Sequence, residues 1–142
     1  MVEVKTIPVR TGEMILCSKG FVLAKENEEH EIELRDVEEQ IAAAEKLTEG
    51  GDYVSMMDGG LTLDVTDEAM RYVAKFKSTR WKAFAIVVRS ISERILANYF
   101  IRFKSPIRPT KVFTNPEKAI EWLGEHLEFE KPEKELMYRP EK

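Results

Sequence analysis

The chain has 142 residues, 43% of them hydrophobic and 34% charged, with a net charge of −4, a balance typical of one compact domain. Cys17 is the only cysteine, which excludes an internal disulfide framework, and no cysteine and histidine cluster has the spacing of a zinc site. Because no run approaches 18 apolar residues and no apolar leader is present, we expect neither secretion nor a membrane span, and we predict a cytoplasmic location.

The first third of the chain has the pattern of β-strands. Short apolar runs at residues 2–9, 13–18 and 20–25 are separated by Arg-Thr-Gly and by Lys-Gly, which favours two or three antiparallel strands. Residues 26–33 are acidic and polar, and we expect a solvated turn there before the first helix.

The first helix is predicted to begin at Asp36, which stands three residues before Glu39, the spacing of a capping box. Apolar residues then recur on one stripe of the helix: Val37, Ile41, Ala44 and Leu47. The helix is expected to end at Gly50 and Gly51, since glycine is the usual residue just past a helix end.

Two strands and a helix follow. Residues 52–57 have the length of a strand, and residues 67–77 form a helix with Ala69, Val73 and Phe76 on its apolar side. Residues 83–88 are apolar without alternation, which is typical of a strand covered on both faces, and we place this strand at the centre of the sheet.

The next helix is predicted from Ser90 to about Phe103, with Ser90 and Glu93 as a second capping box. We expect its apolar arc to be buried: Ile95, Leu96, Tyr99, Phe100 and Phe103. A polar stripe of residues four apart lies beside this arc, and Ala97 and Ile101 are expected to be exposed along it: Arg94, Asn98 and Arg102.

The last elements are a short strand at residues 111–113 and a helix with Pro116 in its first turn. The buried face of this helix is predicted to hold four apolar residues: Ala119, Ile120, Leu123 and Leu127. Residues 1–127 then form a single domain, and residues 128–142 an acidic tail. We expect three apolar residues of the tail to dock on this domain or on a neighbouring chain: Leu136, Met137 and Tyr138.

The order of these elements predicts an α/β fold: a mixed, mostly parallel sheet that starts with a β-hairpin and continues in alternating β-α units, with four helices. The β-rich start and the stretch DYVSMMD…LDVTDEAM resemble the STAS domain of bacterial anti-sigma-factor antagonists. Residues 82–123, KAFAIVV…IEWL, resemble small uncharacterised bacterial STAS-like proteins that are related to sporulation antagonists and to SEC14-like lipid-binding domains. The resemblance covers about residues 10–127.

The resemblance implies a regulatory position at Thr66, because it matches the serine that a partner kinase phosphorylates in the antagonists. The carboxylates of Asp64, Asp67 and Glu68 would oppose a phosphate there. From its own sequence context Thr66 is suited to cap the helix that follows. Asp58 ends a strand at the carboxyl edge of the sheet, where ligands bind in α/β folds, and it equally suits a turn before two glycines.

The charge is unevenly distributed along the chain. From residue 71 to residue 111, eleven lysines and arginines stand against Glu93 alone. Because no dense basic run or nucleic-acid motif accompanies them, we predict no nucleic-acid binding. The basic and acidic faces are expected to pair within the fold or across a homodimer, while the stripe at Arg94 is either a solvated face or a surface for a partner or an anion.

The leading hypothesis is a non-enzymatic regulatory module of the STAS type. It would bind a protein partner through Asp58, Asp64, Thr66 and, on the third helix, Arg94, Asn98 and Arg102. An alternative is binding of an amphiphilic ligand, as in the SEC14-like relatives. A third hypothesis is an enzyme with Asp58 and Asp64 as paired carboxylates. Motifs of nucleotide-binding and hydrolytic enzymes are absent from the sequence, and we predict no catalytic residue, metal or cofactor.

Overall fold

The computed structural model describes residues 5–26, 31–58 and 64–132. The strands in chain order are β1 Lys5–Val9, β2 Gly12–Ser18, β3 Phe21–Glu26, β4 Glu31–Ile32, β5 Tyr53–Asp58, β6 Asp64–Val65, β7 Trp81–Val87 and β8 Thr110–Phe113. The helices are α1 Leu34–Leu47, α2 Asp67–Lys75, α3 Ile91–Lys104 and α4 Pro116–Gly124. Six strands form one sheet in the order β1-β2-β3-β5-β7-β8, and β4 pairs with β6.

The main sheet is mixed. Strands β1, β2 and β3 are antiparallel, whereas β3, β5, β7 and β8 run parallel to one another. In the described residues this confirms the predicted α/β fold, with a hairpin start, a mostly parallel sheet and four helices. The predicted place of the apolar strand 83–88 is wrong: β3 and β5 are the central strands, and β7 lies between β5 and the edge strand β8. Strand β7 is still covered on both faces, which explains its unbroken apolar run.

Helices α1, α2 and α3 cover one face of the sheet, and α4 covers the other. Alternate residues of β7 serve the two layers: Phe84 and Ile86 pack with the three helices, and Ala85 and Val87 pack with α4. The chain continues past α4 along the same face, where the ring of Phe129 lies 5.0 Å from that of Phe21. The three tail residues predicted to dock, Leu136, Met137 and Tyr138, lie outside the described residues.

Helix α1 buries the predicted stripe of Val37, Ile41, Ala44 and Leu47. Its predicted cap is wrong by three residues, because Glu33 occupies the N-cap position and Asp36 the third position of the helix. The carboxylate of Asp36 accepts a hydrogen bond from the backbone N–H of Glu33 at 2.8 Å. Asp36 is therefore the second residue of a capping box whose N-cap residue is Glu33.

An ion pair between Arg10, which is exposed, and the buried Asp36 joins this helix start to the first hairpin. Arg10 donates to both oxygens of Asp36, from Nε and Nη2, each at 2.6 Å. The hydrogen bond from Arg10 holds the pKa of the Asp36 carboxyl below its usual value. The pair lies between the β1–β2 turn and α1, so it fixes how the hairpin meets the helical layer.

Arg108 fixes the loop that follows α3. Its guanidinium lies 3.9 Å above the ring of Trp81 and donates to the backbone carbonyls of Val73, at 3.1 Å, and of Phe76. Burial lowers the pKa of Arg108. Because these contacts tie the loop to the end of α2 and to β7, the end of α3 has a defined position. No described helix is long and apolar enough to cross a membrane.

Candidate functional site

Asp58 ends β5 at the carboxyl edge of the sheet and is buried. Its two carboxylate oxygens accept hydrogen bonds from Arg89, Oδ1 from Nε at 3.2 Å and Oδ2 from Nη2 at 2.7 Å. This geometry arises because β5 and β7 are parallel and Asp58 stands opposite Val87, two residues before Arg89. Asp58 therefore links two strand ends, and the glycines that follow it lie outside the described residues.

The start of α3 is attached to the same edge. Ser90 Oγ accepts a hydrogen bond from the N–H of Glu93 at 3.2 Å, which confirms Ser90 as the cap but only this half of the predicted capping box. The Glu93 carboxylate reaches back to the N–H of Arg89, also at 3.2 Å, and is fully buried. Its second oxygen, Oε2, has no hydrogen-bond partner among the described residues. Asp58, Arg89 and Glu93 thus join β5, β7 and α3 at one corner.

Thr66 caps α2 as predicted. Its side-chain oxygen accepts a hydrogen bond from the N–H of Ala69 at 3.1 Å. Asp64 lies two residues earlier in β6, exposed to solvent and opposite Glu31 of β4. The Thr66 oxygen that accepts this bond is also the one that a kinase would modify, so phosphorylation would place a phosphate at the helix start, next to the exposed carboxylates of Asp67 and Glu68.

The start of α2 is bonded to the end of α3 through Asp67. The Asp67 carboxylate forms ion pairs with Lys104 and, at 2.9 Å, with Arg71, and the hydroxyl of Tyr99 lies 3.5 Å from it. The hydrogen bond from Lys104 is the main cause that lowers the pKa of the Asp67 carboxyl. These contacts bring the Thr66 cap and the C-terminal half of α3 onto one side of the molecule.

The predicted orientation of α3 is wrong. Three large apolar side chains of the predicted buried arc are exposed, Ile95 at 65%, Tyr99 at 39% and Phe103 at 62%, and Ile91 at the start of the helix is 79% exposed. Ala97, expected to be exposed, is buried, and Ile101 is half-buried against the core. Only Leu96 and Phe100 of the predicted arc pack inward. The small side chain of Ala97 lets the helix approach the sheet, where Phe100 meets Phe84 edge-on at 6.4 Å.

We refer to Ile91, Ile95, Tyr99 and Phe103 as the α3 ridge. The rings of Tyr99 and Phe103 lie 5.0 Å apart, so the C-terminal half of the ridge is a continuous aromatic surface. The predicted polar stripe is exposed beside it: Arg94, Asn98 and Arg102. The guanidinium of Arg102 lies 5.5 Å above the ring of Phe103, so basic and apolar groups share one surface.

Two parts of this arrangement have no counterpart in the sequence predictions. The ion pair between Arg89 and Asp58 spans 31 residues, and no local pattern indicates it. The exposure of the α3 ridge had one available signal: the large apolar residues of α3 span more than half of its circumference, which is wider than a single buried face requires.

An apolar cavity of about 80 Å³ lies between the sheet and helices α1, α2 and α3. Aromatic side chains form much of its wall: Tyr53, Trp81, Phe84 and Phe100. Ser55 is one of its few polar residues, and its hydroxyl oxygen accepts a hydrogen bond from Trp81 Nε1 at 2.9 Å. In the described ranges no group of three or more His, Cys, Asp or Glu is placed to hold a metal ion.

A model for a domain of unknown function, DUF7793, matches residues 15–127 of the chain. Among solved structures, an uncharacterized protein of the DUF3478 family with a SpoIIAA-like fold, from Shewanella loihica PV-4, is 15% identical with a TM-score of 0.48. That alignment covers 85% of this chain and 92% of the other. A protein with unknown function from Arthrobacter sp. FB24 is 22% identical with a TM-score of 0.29, over 74% and 92% of the two chains. No curated protein matches the sequence.

Proposed function

We propose that this chain, which belongs to the DUF7793 family, is a non-enzymatic regulatory module that binds a protein partner through the α3 ridge. The observation that supports this proposal most directly is the exposure of Ile91, Ile95, Tyr99 and Phe103 along one helix. Exposed apolar side chains are common singly, but a contiguous row of them on a soluble domain is typical of an interaction site.

The surroundings of the ridge suit a docking surface. Its N-terminal end is fixed by the Ser90 cap and by the Arg89–Asp58 pair, and its C-terminal end is bonded to α2 through Asp67. A surface held at both ends loses little conformational entropy when a partner binds. Tyr99 and the exposed arginines are residue types that often contribute strongly to binding energy.

The regulatory part of the proposal comes from the STAS-like sequence pattern, in which this domain transmits a signal by binding another protein. Thr66 has a structural role in it, as the cap that positions Asp67 against α3. The stripe of Arg94, Asn98 and Arg102 forms the polar margin of the docking surface in this proposal, whereas Asp64 lies on β6 opposite Glu31. Homodimerisation and a cytoplasmic location remain predictions.

Affinity capture from the source cell with matched variants tests the proposal. The wild-type chain and Lys118→Glu, an exposed position on α4 at the opposite face, are expected to retain the same set of proteins. The double variant Ile95→Glu/Phe103→Glu should lose one or more of them while keeping the thermal unfolding midpoint of the control. If the double variant retains every protein, or if the wild type retains none reproducibly, the proposal is wrong.

A second candidate function, binding of an apolar or amphiphilic small molecule, is favoured by the cavity under α1, α2 and α3. Its volume of about 80 Å³ is roughly half that of an engineered cavity of about 150 Å³ that holds benzene, so an acyl chain would require the helices to move apart. Native mass spectrometry of the purified protein tests this function. A co-purifying ligand supports it, and a spectrum with the bare chain alone, confirmed by solvent extraction, contradicts it.

The paired-carboxylate enzyme gains no support from the geometry. Asp58 is bonded to Arg89 on both oxygens, and Asp64 is exposed on β6. Carboxylates that share a catalytic task flank a common cleft and have separated pKa values.

A further inference from the structure

The shape of the α3 ridge fits another helix. Its four residues recur at intervals of four, so the ridge is a single row about 18 Å long at 1.5 Å per residue. Rows of side chains four residues apart are the ridges that pack into the grooves between similar rows on a second helix. An amphipathic helix of three to four turns would cover the whole row.

The charge on this surface is one-sided. Arg94 and Arg102 are exposed, and neither forms an ion pair within the described ranges, whereas Arg89 is paired with Asp58 and Lys104 with Asp67. The carboxylate of α3 that could balance them, Glu93, is buried. The two arginines are about 12 Å apart along the helix. Arg102 lies within the ridge, and Arg94 lies on the polar stripe that borders it, about 60° around the helix from Ile91.

This charge disfavours a second copy of the chain as the occupant. If two α3 helices packed around a two-fold axis at Asn98, Arg94 of one copy would lie near Arg102 of the other copy. Like charges brought together across an interface cost affinity, and no exposed carboxylate on α3 relieves them.

A membrane surface fits less well than a protein. Helices that lie in a lipid interface keep their charged and apolar residues on separate faces. On α3, Arg102 projects about 20° from both Ile91 and Ile95, so a cation stands within the apolar row. The net charge of −4 also works against attraction to anionic lipid.

We infer that the α3 ridge binds an amphipathic helix of a protein partner, whose apolar stripe is flanked by acidic residues about two turns apart that pair with Arg94 and Arg102. The inference rests on the proposed function, and it specifies the kind of partner surface that the ridge would bind. The apolar contacts supply most of the affinity, and the paired charges set which helices are accepted.

Selection from a displayed library of single-helix peptides, with surface positions randomised without bias, tests the inference on the full purified chain. The enriched peptides are expected to combine apolar residues at intervals of three and four with Asp or Glu beside them. Their affinity, measured by fluorescence anisotropy, should fall about tenfold for Arg94→Gln/Arg102→Gln and be abolished by Ile95→Asp. The control Lys118→Gln should change the affinity less than about twofold.

The outcomes separate this inference from the function on which it rests. If binding of the enriched peptides requires Ile95 but the peptides lack acidic residues, the proposed docking function is retained and the inference is wrong. If no enriched peptide requires Ile95 for binding, both are wrong. Two further results would overturn the inference alone. The first is that the chain sediments with phosphatidylserine vesicles and that Ile95→Asp abolishes this co-sedimentation. The second is that analytical ultracentrifugation shows a dimer and that the same variant dissociates it.

Discussion

Helices α1 and α3 have the same length, 14 residues, and pack on the same face of the sheet, yet they use their apolar residues differently. Helix α1 buries Ile41 and Leu47 and exposes charged residues. Helix α3 buries Ala97 and Phe100 and exposes Ile95 and other members of the ridge. The exposed row of α3 contributes little to folding, because its apolar area stays in water. Its composition is therefore better explained by binding than by stability.

The two helices are anchored in similar ways at their starts. The start of α1 is held by a local capping box and by the distant bond from Arg10 to Asp36. The start of α3 is held by the Ser90 cap and by the distant pair between Arg89 and Asp58. The difference therefore lies in the body of the helices, because α1 buries its large apolar residues whereas α3 exposes a row of them on its outer face. Substitutions at matched positions test this contrast.

The largest effect is expected where α1 is buried. Ile41→Ala should lower the free energy of unfolding by about 3 kcal/mol, because it removes three buried methyl and methylene groups and leaves a cavity. Urea denaturation followed by circular dichroism measures this value. Ala42→Ser, the adjacent exposed position on the same helix, is the control and should cost less than about 0.5 kcal/mol. A loss for Ile41→Ala no larger than that of the control would mean that α1 is not part of the core.

The sequence predicted α1 better than α3 for a physical reason. In α1, Val37, Ile41 and Leu47 fall on a single stripe, so the buried face is determined by periodicity alone. In α3, large apolar residues span more than half of the circumference, which is wider than one buried face, and the buried face is selected by the fit of Ala97 and Phe100 to the sheet. Such a fit depends on the partner surface and is absent from the local pattern.

The contacts of the candidate site also divide into those that a local sequence pattern predicts and those that it does not. The caps at Thr66 and Ser90 were predictable because a cap and its partner are three residues apart. The pairs between Arg89 and Asp58 and between Arg10 and Asp36 join residues 31 and 26 positions apart, and they depend on which strands become neighbours. The sequence therefore indicated where helices start but not what holds them to the sheet.

The start of α1 should give the second largest effect. Asp36→Asn keeps an acceptor for the Glu33 N–H but loses the charged bonds from Arg10, and we expect a loss of about 2 kcal/mol at pH 7. The control, Glu38→Gln, removes an exposed carboxylate from the same helix and should change stability little.

The loss at Asp36 should depend on pH in a defined direction. The folded pKa is lowered by Arg10, so the pair contributes fully above the unfolded pKa of about 3.9. As the pH falls through the lower folded pKa, that contribution disappears, and the unfolding curves of wild type and Asp36→Asn should converge. Urea titrations between pH 7 and pH 2 measure the difference, and a constant difference across this range would contradict the assigned role.

At the start of α3 a smaller effect is expected. Ser90→Ala removes the oxygen that accepts from the Glu93 N–H and should cost about 1 kcal/mol. The matched control is Ser92→Ala, two residues later and exposed within the helix, which should be neutral or slightly stabilising since alanine favours helix. Equal effects of the two substitutions in guanidinium denaturation would show that the capping bond does not stabilise α3.

The smallest effect is expected on the ridge itself. Ile95→Ala makes the same chemical change as Ile41→Ala, on a helix of the same length, but at a side chain that is 65% exposed where Ile41 is 9% exposed. The free energy of unfolding should change by less than about 0.5 kcal/mol, because little apolar area leaves or enters water and alanine favours helix. Urea denaturation of the two variants side by side measures the contrast.

A loss at Ile95 comparable with that at Ile41 would mean that the ridge is covered within the free chain. Because an exposed apolar side chain that does not stabilise the fold is retained for some other contact, a near-zero value at Ile95 is the stability result that a docking surface requires.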